Sequence, residues 1–498
     1  MRIGSGAAVR MTDFRPMPSG PAAHLPGEGA FAGLASDSRE VKPGYLFAAL
    51  AGARADGASF LADAVARGAA AILGVPGLRD EVERLGVRFI ADTNPRRRLA
   101  EIAAEYFRDQ PGTIAAITGT NGKTSVSVFL RQIWQREGRR AASLGTIGLI
   151  TKDRSEALAH TTPDAITLHR VLAQLSSEGV SHLALEASSH GLDQYRLDGV
   201  KIAAAGFTNI TRDHLDYHGD FPHYLAAKLR LFRLVAPGGI AVVNADAPYA
   251  EEFARLARGR NLKLVTVGSY GETLRLLSRV AHGEGQVLEI AHDGTTHRVV
   301  LPLVGDFQAA NALIAAGIAL GLGDGANDVL AALCRLEGAP GRLEKVAWAP
   351  SGAPIYVDYA HTPDALETVL RALRPHVSGR LHLVFGCGGD RDRGKRPLMG
   401  AIAARLADLA IVTDDNPRTE DPAAIRRDIL AACPDAREIG DRAEAIRNAV
   451  AVLAPGDILV VAGKGHESGQ IVGDVVRPFL DRHEAVAAAL ANGGRAVP

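Results

Sequence analysis

Cysteine is nearly missing from this chain of 498 residues, and the three present, Cys334, Cys387 and Cys433, are odd in number and far apart. That excludes a disulfide framework and offers no zinc-ligand spacing, which fits a reducing compartment. Long apolar runs are missing too. No stretch approaches the roughly twenty residues that a bilayer span needs, and the opening MRIGSGAAVRM lacks the apolar centre of a signal peptide. The expectation is a cytoplasmic protein without membrane insertion, with Met11 an alternative start to Met1. Nor is there an excess of charge of either sign. Lys plus Arg and Asp plus Glu both number 56, so no global field draws the chain to nucleic acid or to a membrane surface, and anionic ligands must be held by local sites.

What the chain does have is apolar residues in short, repeatedly interrupted runs. They belong to a composition that is 47% hydrophobic, enough for large cores, and the length suggests about three domains. Two Pro/Gly passages, RDQPGT at Arg108 to Thr113 and EGAPGRLE at Glu337 to Glu344, read as joints. They divide the chain into 1–110, 111–339 and 340–498. Within each part strand-like runs alternate with helical stretches: YLFAAL and AAAILG in the first, SHLALEA and GGIAVVNAD in the second, APIYVDYAH, LHLVFGCGG and DILVVAGKG in the third. The alternation predicts an α/β fold with parallel or mixed sheets. Polar clusters fall at the carboxyl ends of these strands, where open α/β sheets hold ligands.

One such end is TIAAITGTNGKTSVSVFLRQIW, Thr113 to Trp134. Thr113 to Thr118 reads as a buried strand, Gly119 to Gly122 as a loop, and Val126, Phe129, Leu130, Ile133 and Trp134 share one helical face. Backbone N–H groups and a helix N-terminus favour an anion there, with Lys123 supplying positive charge and Thr124 a hydroxyl suited to Mg2+. A full phosphate-loop pattern needs glycine at 117, where this chain has Ile117, so only GTNGKT matches. Glu186, at the end of LALE, is a carboxylate placed to share a metal with Thr124 and a nucleotide. His214, Asp216 and His218 crowd one loop, and Lys228 lies on a helix beginning near Phe221.

Taken together, TGTNGKTS, LEASSHGL, NITRDHLDYHGD with AAKLRLF, VDYAHTPDAL and GCGGDRDRGKRP resemble the Mur ligase family, over about Asp37 to Glu467. The resemblance implies a smaller N-terminal α/β domain for the uridine end of the substrate, a central ATPase-like domain and a C-terminal Rossmann-like domain. It implies ATP held by Gly119, Thr120, Asn121, Gly122, Lys123, Thr124 and Ser125, with Asn311, Arg342 and Asp358. Ser36, Ser38, Thr161, Thr162, Ser188, Gln194 and Arg196 match contacts to the UDP-muramoyl-dipeptide. Lys123, Glu186, His214 and Lys228 match the catalytic set, and Thr124, Glu186, His214 and a carbamylated Lys228 the magnesium ligands; a carbamate turns a cation that would repel the metal into an anion. Phe307-Gln308 departs from the FN of many relatives.

In the third part, DNPR at Asp415 to Arg418 resembles the form found in members that add meso-diaminopimelate. That amino acid differs from lysine by one distal carboxylate, which Arg418 could take bidentately and Asn416 could hydrogen-bond. Arg391, Asp415, Pro417, Gly463 and Glu467 match the remaining contacts. The expected reaction joins this amino acid to the D-Glu of UDP-N-acetylmuramoyl-L-Ala-D-Glu through an acyl phosphate, in a monomer using ATP and Mg2+. Folylpolyglutamate synthases and lysine-adding ligases share the central pattern, and a nucleotide-driven switch or motor is the rival from another class.

Overall fold

Alanine- and β-branched-rich runs that end at glycine turns become the strands of three principal sheets, in a computed structural model that describes residues 23–25, 29–52 and 55–497. Met1 and Met11 lie outside the described residues. The chain divides into two compact units.

The first unit gathers residues up to Pro111 together with Pro163–Gly179 and His190–Lys201. Its sheet is four parallel strands, Gly33–Ala35, Tyr45–Ala48, Ala71–Gly74 and Arg88–Ala91, in that order. Helix Pro95–Phe107 starts on an Asn94 cap with proline at its first turn. It packs against helix Ala165–Ser177, a partner from far along the chain. Leu46, Leu73, Leu99, Ile102 and Ala103 form a core that Ile166 joins from that second helix.

The second unit holds the other two sheets. Thr113–Thr118 lies inside an eleven-stranded sheet, parallel to both His182–Glu186 and Ile202–Phe207. From Ile114 on it is buried, as expected of a parallel strand covered on both faces. Helices Lys123–Arg136 and Asp306–Gly321 pack on each other beside it. The sheet is mixed, because Leu274–His282, Gly285–His292 and Thr295–Leu301 extend it as an antiparallel ribbon. The seven-stranded sheet has Ile458–Ala462 between Leu381–Phe385 and Pro354–Asp358, all parallel, with Glu344–Trp348 running antiparallel next to the last. A two-stranded ribbon, Gly469–Val472 with Val475–Pro478, stands apart from it in pairing. No helix among the described residues is long and apolar enough to cross a membrane.

Candidate functional site

The loop after Thr118 has the shape its glycines allow. Gly119 (φ 149°) and Gly122 (φ 88°) adopt conformations that L side chains rarely take. A Cβ on Gly119 would fall on the Thr208 hydroxyl, and one on Gly122 on the Asn311 side-chain amide. Asn311 is thereby seated on the loop, itself accepting support from Gln308, whose Oε1 takes the Asn311 Nδ2–H at 3.3 Å while its own Nε2 donates to Arg342 O at 3.1 Å. The unusual Gln308 therefore links two residues of the expected nucleotide set. Asn209 holds the other side of the loop, its O and Oδ1 accepting the N–H groups of Thr120 (2.9 Å) and Asn121 (3.0 Å). Thr124 and Ser125 are buried in the first helical turn.

Two lysines converge on one backbone oxygen. Lys123 Nζ donates to Gly119 O and Thr120 O, both at 2.8 Å, and Lys228 Nζ donates to the same Gly119 O at 2.7 Å. Burial pulls the Lys123 amine down, and burial followed by the neighbouring Lys123 charge pulls Lys228 well below the ordinary lysine range. Lys228 also faces the Tyr224 ring at 4.4 Å. Tyr224 shares a 2.9 Å hydrogen bond with Thr120 Oγ1, and burial pushes its phenol up.

Glu186 is fully buried at its strand end. Thr146 donates to both of its oxygens, through N–H to Oε1 (2.9 Å) and through Oγ1 to Oε2 (3.1 Å). Thr146 Oγ1 lies 3.0 Å from Thr161 Oγ1, and Thr162 Oγ1 donates to Glu186 O while accepting from Ser188 N–H. Three of the expected substrate contacts thus gather around Glu186, Thr161 through Thr146 and Thr162 and Ser188 through the Glu186 backbone carbonyl. His214 sits at a left-handed backbone position (φ 51°), half-exposed beside Asp213, its ring edge toward Tyr224. Among the described residues no three or more His, Cys, Asp or Glu side chains gather as a metal cage. Mg2+ commonly takes only one or two carboxylates and draws its remaining ligands from phosphates and water, so Glu186 and Thr124 beside a bound nucleotide fit it.

Arg342 and Asp358 meet at the third sheet. Asp358 accepts Leu343 N–H (2.6 Å) and Ala360 N–H (2.7 Å). Burial pushes its carboxyl up to about 6, against the pull of Arg342. The Arg342 guanidinium lies 4.6 Å over the Tyr359 ring. Its Nε, like Nδ1 of the nearby His466, is buried with no hydrogen-bond partner among the described residues.

Beyond the strand Leu409–Val412 the DNPR loop is pinned from several sides. Asn416 Nδ2 donates to Glu467 Oε2 (2.9 Å), and Gly463 has φ 119° where a Cβ would press on Asp415. Arg418, also left-handed (φ 53°), donates Nη1 to Gly389 O (2.8 Å). A side chain at Gly389 would strike Pro417 O. Arg391 is exposed and among the described residues donates only to the neighbouring Asp390 O, so it is not gathered with the others. Ser36, Ser38, Gln194 and Arg196 belong to the first unit. There Ser38 is buried with its hydroxyl on Asp63, Ser36 is exposed, and Gln194 Oε1 accepts from Arg196 Nη2 at 2.7 Å. Thr146, Asn209 and Tyr224 went unread in the sequence. Thr146 and Tyr224 are ordinary residues in a turn and a helix that only proximity marks, whereas Asn209 opens the quoted NITRDHLDYHGD motif without a role being read for it.

Three family descriptions match the chain: the Mur ligase middle domain over residues 117–319, the Mur ligase glutamate ligase domain over 341–465 and the Mur ligase family catalytic domain over 30–107. A relative from Bradyrhizobium diazoefficiens, named UDP-N-acetylmuramoyl-L-alanyl-D-glutamate--2,6-diaminopimelate ligase, is 57% identical, covering 92% of this chain and 95% of its own. One of the same name from Caulobacter vibrioides is 54% identical with the same two coverages. A solved structure with that enzyme name is 36% identical with TM-score 0.69, covering 93% of this chain and 95% of that one. A Thermotoga maritima MurF ligase in complex with ADP shares the fold, at 18% identity and TM-score 0.59 over 92% of this chain and 97% of that one.

Proposed function

This chain belongs to the Mur ligase family, and from that membership we infer that it is an ATP-dependent ligase joining meso-diaminopimelate to the D-Glu carboxylate of UDP-N-acetylmuramoyl-L-Ala-D-Glu, a step of peptidoglycan precursor synthesis. The observation that carries the phosphoryl chemistry is the pair of lysines on Gly119 O, Lys228 buried and Lys123 partly so. The Lys123 amine, beside the loop N–H groups at a helix N-terminus, calls for an anion, and a nucleotide phosphate supplies one.

In this reading the γ-carboxylate of D-Glu attacks the γ-phosphorus of ATP, ADP leaves, and an acyl phosphate forms. Lys123 and the loop N–H groups hold the transferring oxygens. The amine of diaminopimelate then attacks the acyl carbon, inorganic phosphate departs, and the amine proton is lost to solvent or base as the amide forms. Arg342 Nε is a buried donor without a hydrogen-bond partner among the described residues, which suits a phosphate reached from the third sheet. Thr124 and Glu186 would hold Mg2+, with His214 and a carbamate on Lys228 at a second ion. The metal, when bound, neutralises charge on the phosphoryl oxygens. Lys228, with its amine pulled far down, is suited to meet CO2 as the free base that carbamylation requires. Diaminopimelate would lie among Asp415, Asn416, Pro417, Arg418, Gly463 and Glu467, with Arg391 brought in when the ligand arrives.

The three functional parts are 1–110, 111–339 and 340–498, in a cytoplasmic monomer. A motor would need its metal carboxylate near an activated water. Glu186 instead has both oxygens on Thr146, and the substrate threonines surround it.

The deciding assay is phosphate release from ATP with UDP-N-acetylmuramoyl-L-Ala-D-Glu, comparing meso-diaminopimelate with L-lysine. Release and a tripeptide product with diaminopimelate alone are expected. Preference for lysine would sink the specificity reading, and release indifferent to both acceptors would sink the ligase. Replacing Lys228 by Ala should lower turnover roughly a hundredfold or more, with partial recovery by added short carboxylates. Full activity without such rescue would remove the carbamate from the mechanism.

A further inference from the structure

Lys464 has no place in the chemistry described so far, yet it is fully buried, an expensive position for a lysine. Its Nζ donates to Asn416 Oδ1 and to Glu467 Oε2, both at 3.0 Å. Asn416 Oδ1 also accepts the Ile471 N–H at 2.9 Å, from the ribbon that follows. Those two donors dictate how the Asn416 amide is turned. Reversing it would set an N–H2 group against two other donors, so the oxygen faces Lys464 and the nitrogen faces Glu467. Nδ2 spends one hydrogen on Glu467 Oε2 and keeps a second. Glu467 Oε2 receives both Lys464 and Asn416, whereas Oε1 accepts from no group among the described residues and its side chain is a third exposed.

We propose that Lys464 is the positioning residue of amino-acid selection: without touching the acceptor, it locks Asn416 and Glu467 so that one presents an N–H and the other a carboxylate oxygen to the distal, zwitterionic end of the substrate. The distal carboxylate then meets Asn416 and Arg418, and the distal ammonium meets Glu467 Oε1. The inference rests on the reading of Glu467 as the partner of that ammonium. It extends that reading by assigning the geometry to a residue one turn earlier. Three chain segments, 415–418, 463–467 and 470–472, meet at Asn416 Oδ1, which takes both the Lys464 amine and the Ile471 N–H, helped by Gln470 Nε2 donating to Asp415 O at 2.8 Å.

The test compares two acceptors, meso-diaminopimelate and 2-aminopimelate, which keeps the distal carboxylate but has no distal amine. In the unaltered enzyme kcat/KM should favour diaminopimelate strongly. Glu467→Gln should bring the two acceptors toward parity. Lys464→Met should do the same, raising KM for diaminopimelate roughly tenfold or more, as expected for losing a hydrogen bond to a charged group, while KM for ATP stays within about twofold. Lys464→Gln, which keeps an N–H2 donor for Asn416 but gives up the cation, should fall between and serves if the methionine variant does not fold. Parity in Glu467→Gln with undiminished discrimination in the Lys464 variants overturns the role of Lys464 alone. Undiminished discrimination in all of them overturns the reading of Glu467 and this inference with it. A KM for ATP that rises in step with that for diaminopimelate assigns Lys464 to general stability and likewise overturns the proposal.

Discussion

At the scale of single residues, the site depends on close approaches that leave no room for another atom. Gly122 is the sharpest case, with its positive φ and the Asn311 amide where a Cβ would go. Gly122→Ala should therefore lose nucleotide binding well before it loses the fold, read as a rise in the ATP dissociation constant by calorimetry with little change in melting temperature. Asp358 supplies a pH dependence whose sign follows from burial. Its folded-state value of about 6 lies above the ordinary 3.8. The folded chain thus holds a proton that the unfolded chain has already released, and this group's contribution to stability is full below 3.8 and is lost as pH rises through about 6. Function runs the other way. The carboxylate accepts the Leu343 and Ala360 N–H groups more strongly than the protonated acid, so kcat/KM for ATP should fall on acidification through about 6. Asp358→Asn should abolish that limb, and a limb that survives in the variant must come from another group. Motif residues such as Lys123, Glu186 and Arg418 stand out in the sequence because phosphate, metal and carboxylate chemistry restricts residue type and spacing. Thr146 and Lys464 do not, since a threonine or lysine in a turn looks the same whether it faces water or a buried carboxylate.

At the scale of elements, the parallel strands were readable from their apolar continuity, and Thr113–Thr118 begins and ends where the sequence suggests. The antiparallel ribbon Leu274–Leu301 was less so, because its exposed face breaks the apolar run that marks a covered strand. Between strands Leu381–Phe385 and Ile458–Ala462 the structure shows one polar clamp away from the site. Asp457 accepts the N–H groups of Arg380 (2.7 Å) and Ala454 (2.9 Å) and faces His382 Nε2 at 3.0 Å. Burial pushes the Asp457 carboxyl up, but those donors outweigh it and hold it below the usual range. Such a group stabilises the fold above its unfolded value and ceases to as pH drops through its lower folded value. Asp457→Asn should cost roughly 1–3 kcal/mol at neutral pH, measured by urea unfolding, and the deficit should shrink in acid. An equal deficit at every pH would show that the lost ionisation is not the cause.

At the scale of the whole molecule, the helix Ala165–Ser177 is the element that local reading could not place. Its sequence is an ordinary amphipathic helix of the middle region, and nothing in it names a partner in the first hundred residues. The structure packs it on Pro95–Phe107 with Leu168, Val171, Leu172 and Leu175 buried. A fragment beginning at Gly112 should therefore keep the central and third sheets but expose this helix, giving a species that binds a hydrophobic dye and aggregates on warming. A fragment as dye-silent as the intact chain would contradict that placement.

The backbone passes between the two units at 111/112, 162/163, 179/180, 189/190 and 201/202. A unit threaded so many times is no cassette. Recombination that exchanged the first hundred residues for those of a distant relative would bring in one side of a helix pair and leave its partner, Ala165–Ser177, behind. Two later stretches must travel with them, which ties the ancestry of the first unit to that of the chain's middle.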